Sequence, residues 1–169
     1  MEEAKKKRSS QPWIIAYQHR PIFCSDKYNQ CNGSDNNQLR YDSPGNPALE
    51  PVYAEYGVDM VFAGHHHFYE RQFPRSHRHT TIQTNPHVNA KAPVYVVSGS
   101  AGGAPGHHSS FHARPSPLSA VRKTENSYTV LHLHNKTHLF MKQISVEGRP
   151  KEIDRLWLIK SPGYSSGYG

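Results

Sequence analysis

The chain has 169 residues and a formal net charge of +7 at neutral pH; 35% of its residues are hydrophobic and its mean hydropathy is −0.79. This length suits one domain of ordinary size, and no apolar run is long enough to span a membrane, so no membrane association is predicted. The positive charge alone does not indicate nucleic-acid binding, because no recognised binding module accompanies it, and nucleic acid is not a predicted partner.

The two ends of the chain are polar. Residues 1–11 include the run MEEAKKKRSS, which is typical of a solvated segment, and we predict a disordered basic tail there. Residues 161–169, SPGYSSGYG, are predicted to be disordered as well. The charged start leads into no hydrophobic region, so the sequence shows no signal peptide.

The first predicted strand, PWIIAYQ at 12–18, precedes a long polar loop that runs from residue 25 to residue 46. Cys24 and Cys31 lie at the start of this loop. They are candidates for a disulfide if the chain is exported, and two free thiols fit the sequence equally well. Asn32 begins an Asn-Gly-Ser triplet and is therefore a candidate for N-glycosylation.

A helix and a second strand follow the loop. Apolar residues fall at helical spacing over 47–57, where Asn46 can cap the start and Gly57 can end the helix. The run VDMVFA at 58–63 predicts a second buried strand. Strand, helix and strand form a βαβ unit, which predicts two parallel strands whose carboxyl ends share one edge of a sheet.

Histidines follow both of these strands. His19 comes directly after the first strand, and the second ends at Gly64 before His65, His66 and His67. Ligands bind outside the carboxyl ends of such sheets, so we expect His19 and His65 to converge there. In extended chain His65 and His67 point to one side and His66 away. The residues alone leave two interpretations open. Either His19, His65 and His67 bind a metal ion, or these histidines are ordinary solvated or packed imidazoles.

The rest of the chain is predicted to be mostly β-structure and loop. A long loop covers 73–93, and PVYVVSGSAGG at 93–103 predicts a strand that runs into a tight glycine-rich turn. A β-hairpin is predicted over 127–146 and a last strand over 153–159. The hairpin turns at Asn135, which begins an Asn-Lys-Thr triplet and is a second glycosylation candidate.

Three segments resemble one known family. GHHHFYERQFP is similar to the GHxH…YER segment of purple acid phosphatases, within the calcineurin-like metallophosphoesterases. WIIAYQHRPIFCS resembles the segment that carries the preceding metal-binding histidine. The stretch from APVYVVSGSAGG to LFMKQIS is similar to the small C-terminal region of these enzymes. The resemblance runs from about Trp13 to Leu158 with the segments in the same order.

The resemblance implies an α/β fold that forms part of a metallophosphoesterase αβ sandwich with C-terminal β-strands. Residues 12–91 correspond to the C-terminal part of the catalytic domain and residues 92–160 to the C-terminal region. The implied activity is acid phosphatase-type hydrolysis of phosphate monoesters by an extracellular enzyme with a binuclear metal site, in which iron is paired with zinc, manganese or a second iron. The implied ligands are His19 and His65 for the divalent ion and His67 for the ferric ion.

The sequence also departs from the family pattern. The family supplies further ligands, a bridging aspartate among them, from GDxxY and GNHE motifs, and neither motif occurs in the 169 residues. A histidine that often serves as proton donor is absent as well, since no histidine lies between Arg20 and Gly64. An alternative interpretation is therefore a catalytically inactive remnant that acts at most as a weak metal-binding or interaction module. Glu70 and Arg71 match the YER continuation and are expected to orient the loop.

Overall fold

The computed structural model describes residues 1–28, 31, 38–76, 82–102 and 110–164, which fold into two β-sheets and two α-helices. The helices are α1 (Glu2–Lys6) and α2 (Leu49–Glu55). The strands are β1 (Ile15–Gln18), β2 (Met60–Ala63), β3 (Tyr69–Gln72), β4 (Val94–Ser98), β5 (Ser119–Lys123), β6 (Ser127–Leu133), β7 (His138–Ser145) and β8 (Lys151–Ile159). Among the described residues no helix is long and apolar enough to span a membrane.

The larger sheet has five strands in the order β1-β2-β4-β3-β5. β1 pairs with β2 in parallel, with Ile15 opposite Met60, and β2 pairs with β4 in parallel. This confirms the predicted parallel βαβ unit. β3 and β5 add an antiparallel side to the sheet. The carboxyl ends of β1, β2 and β4 therefore lie at one edge, which is where His19 and the GHHH turn begin.

The main core lies between the two sheets. Alternate residues of β2 and β4, Met60 and Phe62 among them, pack against buried residues of β7 and β8 such as Leu139 and Leu158. β7 alternates between buried and half-buried positions along its whole length, because every second side chain faces the larger sheet. The intervening residue Val61 belongs to a second cluster on the other face of the sheet, with Tyr53 of α2.

A buried ion pair also links the two sheets. Asp154 on β8 accepts hydrogen bonds from the guanidinium of Arg71 at 2.7 and 3.0 Å and from the hydroxyl of Tyr69 at 2.5 Å. Both donors lie on β3, and the charged side chains are less than a tenth exposed. Burial and the Asp154 carboxylate both raise the pKa of Tyr69, which therefore stays protonated as a donor.

The smaller sheet, in the order β6-β7-β8, contains the predicted hairpin and the predicted last strand. β1 and β6 lie beside an apolar groove of about 380 Å³ between the sheets, lined by residues that include Tyr17, Phe62 and Leu131. β1 is an edge strand, and Tyr17 is 71% exposed. The open strand edge and the exposed aromatic ring agree with the interpretation that this chain forms part of a larger sandwich.

Helix α2 starts later than the sequence suggests. The residue at its N-cap is Ala48, without a side-chain cap, while Asn46 is bridged to Ser43 in a preceding turn. The prediction that Asn46 caps the helix is therefore wrong, because the helix begins at Leu49 and Asn46 lies two residues before the N-cap position. Gly57 has φ +65° and follows the helix, as predicted for a C-terminal glycine.

The first residues differ from the disordered tail expected for 1–11. They form α1, and Arg8 then turns inward, where its guanidinium donates to the Asp59 carboxylate at 3.2 Å and to the carbonyl of Pro12 at 2.8 Å. Asp59 also accepts from Lys160 at 2.8 Å. The physical reason for the difference is this buried carboxylate, which binds a cation from each end of the chain.

Part of the predicted C-terminal tail is described, and a strand follows the predicted boundary at residue 92. Of the expected tail 161–169, residues 161–164 are described, and the backbone N–H of Ser161 donates to the side chain of Asn89 at 2.8 Å. Residues 165–169 lie outside the described part. Strand β4 begins just after residue 92 and lies inside the larger sheet.

Candidate metal centre

His19 and His65 meet at the carboxyl ends of β1 and β2, as the βαβ topology predicts. His19 Nε2 and His65 Nδ1 lie 3.1 Å apart. The backbone supports this approach, because the N–H of Gly64 donates to the carbonyl of His19 at 3.1 Å. Two imidazole nitrogens on one tetrahedral zinc ion are separated by about 3.3 Å, so this pair is spaced to share an ion.

The GHHH turn is not extended, which changes the orientation of its histidines. His65 adopts φ +65°, a left-handed conformation that is uncommon outside glycine, and the N–H of His66 donates back to the carbonyl of Gly64 at 2.8 Å. The alternation expected for an extended chain therefore does not apply here. The left-handed residue instead turns the ring of His66 into the protein.

His66 is 8% exposed and packs under the turn. Its ring stacks on Phe68, with centroids 5.3 Å apart, and its Nε2 lies 3.7 Å from Sγ of Cys31. The His66 ring also lies edge to face with the His65 ring, with centroids 5.0 Å apart, while its Nε2 approaches Cys31.

His67 is exposed at the end of the turn, close enough for its charge to act on its neighbour. Burial lowers the pKa of His65, and the charges of Arg20, His19 and His67 lower it further. A lowered pKa keeps the imidazole neutral, which is the form that binds metal. The structure places the His65 ring directly beside the His19 ring. For His67 it shows only that the side chain is close enough to His65 to influence its pKa.

The glycine-rich segment after β4 packs directly beneath the histidine turn. The N–H of Gly99 donates to the carbonyl of Phe68 at 3.3 Å. A Cβ at Gly99 would lie inside contact distance of the carbonyl oxygen of His66 and 2.9 Å from its carbonyl carbon. Glycine at this position lets two backbones approach, which is a packing role and not a phosphate-binding one.

Glu70 fixes the loop that follows His19. Its carboxylate is fully buried and accepts from the backbone N–H and the hydroxyl of Ser25, at 2.7 and 2.6 Å. Further donors are the hydroxyl of Ser119 and the amide of Gln72, each at 2.6 Å. These contacts support the expected role of Glu70 in orienting the loop.

Cys24 and Cys31 are joined by a disulfide in this structure, with their Cα atoms 5.4 Å apart. Both residues are buried beside Phe68 and Val97. Asn135 is exposed at the β6–β7 turn, where its Oδ1 accepts from the backbone of Thr137 and His138 at 2.8 Å each. Asn32 lies outside the described residues.

Sequence reasoning missed one group of side chains. Among the described residues, donor atoms of Cys24, Asp26, Cys31 and His66 all lie within 4.8 Å of one another. The chain order gave no signal for this group, because His66 joins it only through the left-handed turn at His65. The loop after His19 therefore contacts the GHHH turn a second time, through Cys31 and His66.

Comparisons with known proteins agree with the resemblance. Residues 1–69 match the calcineurin-like phosphoesterase family, and residues 92–154 match the family described as iron/zinc purple acid phosphatase-like protein C. "Acid phosphatase type 7" of Danio rerio is 36% identical over 174 residues, covering 95% of this chain and 38% of the relative. The Homo sapiens protein of that name is 34% identical over 164 residues, covering 95% and 37%.

A solved purple acid phosphatase from yellow lupin (Lupinus luteus) seeds has a similar fold, with a TM-score of 0.70 at 22% identity, covering 95% of this chain and 28% of that one. Fold and site thus define a metallophosphoesterase-type α/β protein. The chain belongs to the purple acid phosphatase-like proteins of the calcineurin-like phosphoesterase superfamily. It spans less than two fifths of the length of the relatives described above.

Proposed function

We propose that this chain carries the histidine part of a binuclear metal site that hydrolyses phosphate monoesters. His19 and His65 are the ligands of a divalent ion, which is zinc, manganese or iron, and His67 is a ligand of a neighbouring ferric ion. The observation that supports this assignment best is the 3.1 Å approach of His19 and His65 at the ligand-binding edge of the sheet. Membership of the purple acid phosphatase-like proteins is the basis for proposing phosphate monoester hydrolysis.

The donor set fits only part of such a centre. Neutral imidazoles are good ligands for zinc or divalent iron, but they do not offset the charge of two cations or bridge them. A bound metal pair of this kind polarises the phosphate and supplies a hydroxide nucleophile. The chain's own contribution is to hold two imidazoles in place through the Gly64 and Gly99 backbones and through Glu70.

We also propose an extracellular location for the protein. The Cys24–Cys31 disulfide and the exposed Asn135 triplet support it, because disulfides persist and N-glycans are added in the secretory pathway. Asn32 is the second proposed glycosylation site. Phosphate monoesters are the proposed substrate class, with no role for nucleic acid or membrane.

A second candidate function is a non-catalytic module that binds metal weakly. The observation that favours it is the absence of the GDxxY and GNHE motifs from the 169 residues. Under this alternative the imidazole pair still takes up a divalent ion, but no ester is hydrolysed.

Assays of the purified chain with a chromogenic phosphate ester, at acid and neutral pH with iron, zinc or manganese, separate the two candidates. Turnover that His65→Ala abolishes would establish hydrolysis by this chain. Metal uptake that depends on His65 without turnover would favour the non-catalytic module. Absence of both would contradict the metal site itself. His112→Ala, at an exposed loop histidine, is the matched control.

A further inference from the structure

A second group of side chains that can ligate a metal adjoins the candidate centre, since its member His66 follows His65 and the two ring centroids lie 5.0 Å apart. Cys24, Asp26, Cys31 and His66 are each less than a tenth exposed, at 7%, 4%, 0% and 8%. Their donor atoms lie within 4.8 Å of one another. Two sulfurs, an imidazole and a carboxylate are a donor set that tetrahedral zinc accepts.

The distances within this group are close to those of a tetrahedral site. His66 Nε2 lies 3.7 Å from Cys31 Sγ, and Asp26 Oδ1 lies 3.5 Å from Cys24 Sγ. Around one zinc ion a thiolate sulfur is about 3.5 Å from a nitrogen or oxygen ligand, and two sulfurs are about 3.8 Å apart. The pair that must move is therefore the two sulfurs, which are bonded to each other in this structure.

Asp26 is held in place by the cysteine loop itself. Its Oδ1 accepts from the backbone N–H of Cys31 at 3.3 Å, and its Oδ2 accepts from the N–H of Tyr28 at 2.9 Å. A disulfide is uncharged and does not require a buried carboxylate beside it. Two backbone N–H donors stabilise the buried carboxylate in part, and a metal ion bound to the same sulfurs would add a positive charge beside it.

We propose that Cys24, Asp26, Cys31 and His66 form a redox-dependent zinc-type site, closed by the disulfide and opened by its reduction. A dithiol reductant transfers two electrons and two protons to the Cys24–Cys31 bond and is itself oxidised to a disulfide. The two thiols then release their protons to solvent as their thiolates bind the cation. Asp26 and His66 complete the tetrahedron. This inference does not depend on the proposed hydrolase function, and it concerns the reduced chain, whereas the extracellular form proposed above keeps the disulfide.

Cobalt(II) is the probe for this site, because thiolate ligation gives a charge-transfer absorption that imidazole ligation at His19 and His65 does not give. The full chain is titrated with Co²⁺ before and after reduction with a dithiol, which is removed before the titration. We expect the thiolate band only after reduction, and we expect Zn²⁺ to displace it.

Variants separate ligation from simple thiol binding. His66→Ala and Asp26→Asn should each weaken Co²⁺ binding by more than the roughly tenfold to hundredfold that loss of an outer-shell partner costs. His132→Ala, at an exposed histidine on β6, is the control and should leave the band unchanged. Far-ultraviolet circular dichroism of each variant identifies those that fail to fold. The Co²⁺ affinity is then compared for whichever of His66→Ala and Asp26→Asn folds.

Absence of the thiolate band from the reduced, folded chain would overturn the proposal. A band that persists at unchanged affinity in both His66→Ala and Asp26→Asn would overturn it as well, since the two thiols alone would then account for the binding.

Discussion

Single buried residues hold the histidine edge in place, and Glu70 is the clearest example. Its carboxylate is fully buried and accepts from four donors on three side chains and one backbone amide. Glu70→Gln places an amide N–H against these donors and should destabilise the chain by about 3 kcal/mol. Urea denaturation measures the change.

The matched control for this substitution is Glu55→Gln, at an exposed position on α2, which should change the free energy of unfolding by no more than about 0.5 kcal/mol. An equally small effect of Glu70→Gln would show that the hydrogen bonds around Glu70 do not hold the loop after His19.

His87 predicts how stability depends on pH. Burial and the charge of Arg71 lower the pKa of His87 to about 4 from the ordinary 6.5, against a smaller opposing effect of Asp154. Between these two values the unfolded chain binds the proton and the folded chain does not, so stability rises with pH. As the pH falls from 6.5 to 4, the chain should lose about 1–2 kcal/mol, after a discount for the partial exposure of the ring.

Replacement of this ring tests the pH prediction. His87→Phe removes the titrating group and keeps a ring that can stack on Phe73, so the free energy of unfolding should vary less between pH 6.5 and 4. His132→Phe, on the exposed side of β6, controls for the loss of one imidazole. If His87→Phe and the original chain have the same pH dependence, the buried neutral imidazole is not its cause.

At the scale of elements, the close approach of the segment after β4 to the histidine turn depends on Gly99. Gly99→Ala would force a Cβ into the carbonyl of His66, where only backbone can give way. We expect a loss of about 3 kcal/mol or more, or a shifted histidine turn. Thermal unfolding and the NMR chemical shifts of the His65 and His66 rings report the two outcomes.

Gly64→Ala is the control for this substitution, because a Cβ there would meet only the carbonyl oxygen of His19, at 4.0 Å. A Gly99→Ala protein with the stability and the histidine spectra of the Gly64→Ala protein would contradict the close packing of the two segments.

The sequence predicted the apolar elements well and the polar ones poorly. The run around Val61 is apolar because β2 is buried on both faces, a pattern typical of parallel strands, whereas β1 at the sheet edge is only partly buried. β3 was missed because Glu70, Arg71 and Gln72 look solvated in the sequence, and they are buried only because partners from distant segments neutralise or hydrogen-bond them.

The candidate centre likewise has one feature that the sequence predicts and one that it does not. The meeting of His19 with His65 follows from topology and was predicted from the order of the elements. The inward turn of His66 depends on one left-handed residue, and a periodicity argument cannot supply that. The group around Cys31 was therefore out of reach, since its members meet only when the turn packs on the cysteine loop.

For the whole molecule, the first eight residues are part of the fold. Arg8 bonds to the buried Asp59 and to backbone carbonyls, and Asp59 is also paired with Lys160 near the other end of the chain. Arg8→Ala should therefore lower the free energy of unfolding by about 2 kcal/mol, because it removes one of the two cations paired with the buried Asp59 carboxylate. Chemical denaturation provides the measurement.

Lys7→Ala, at an exposed neighbouring position, is the control and should be close to neutral. If both substitutions have equally small effects, the disordered tail expected from the sequence is the better description of residues 1–11.

The metal content of the chain with its disulfide intact tests the central claim most directly, because oxidation excludes the cysteine group from binding. Zn²⁺ or Mn²⁺ bound per chain is counted by mass spectrometry after equilibrium dialysis. We predict binding of a single divalent ion that is lost in both His19→Ala and His65→Ala and retained in His112→Ala. Binding that is unchanged in His65→Ala, or absent from the original chain, would contradict the assignment of the histidine pair as a metal site.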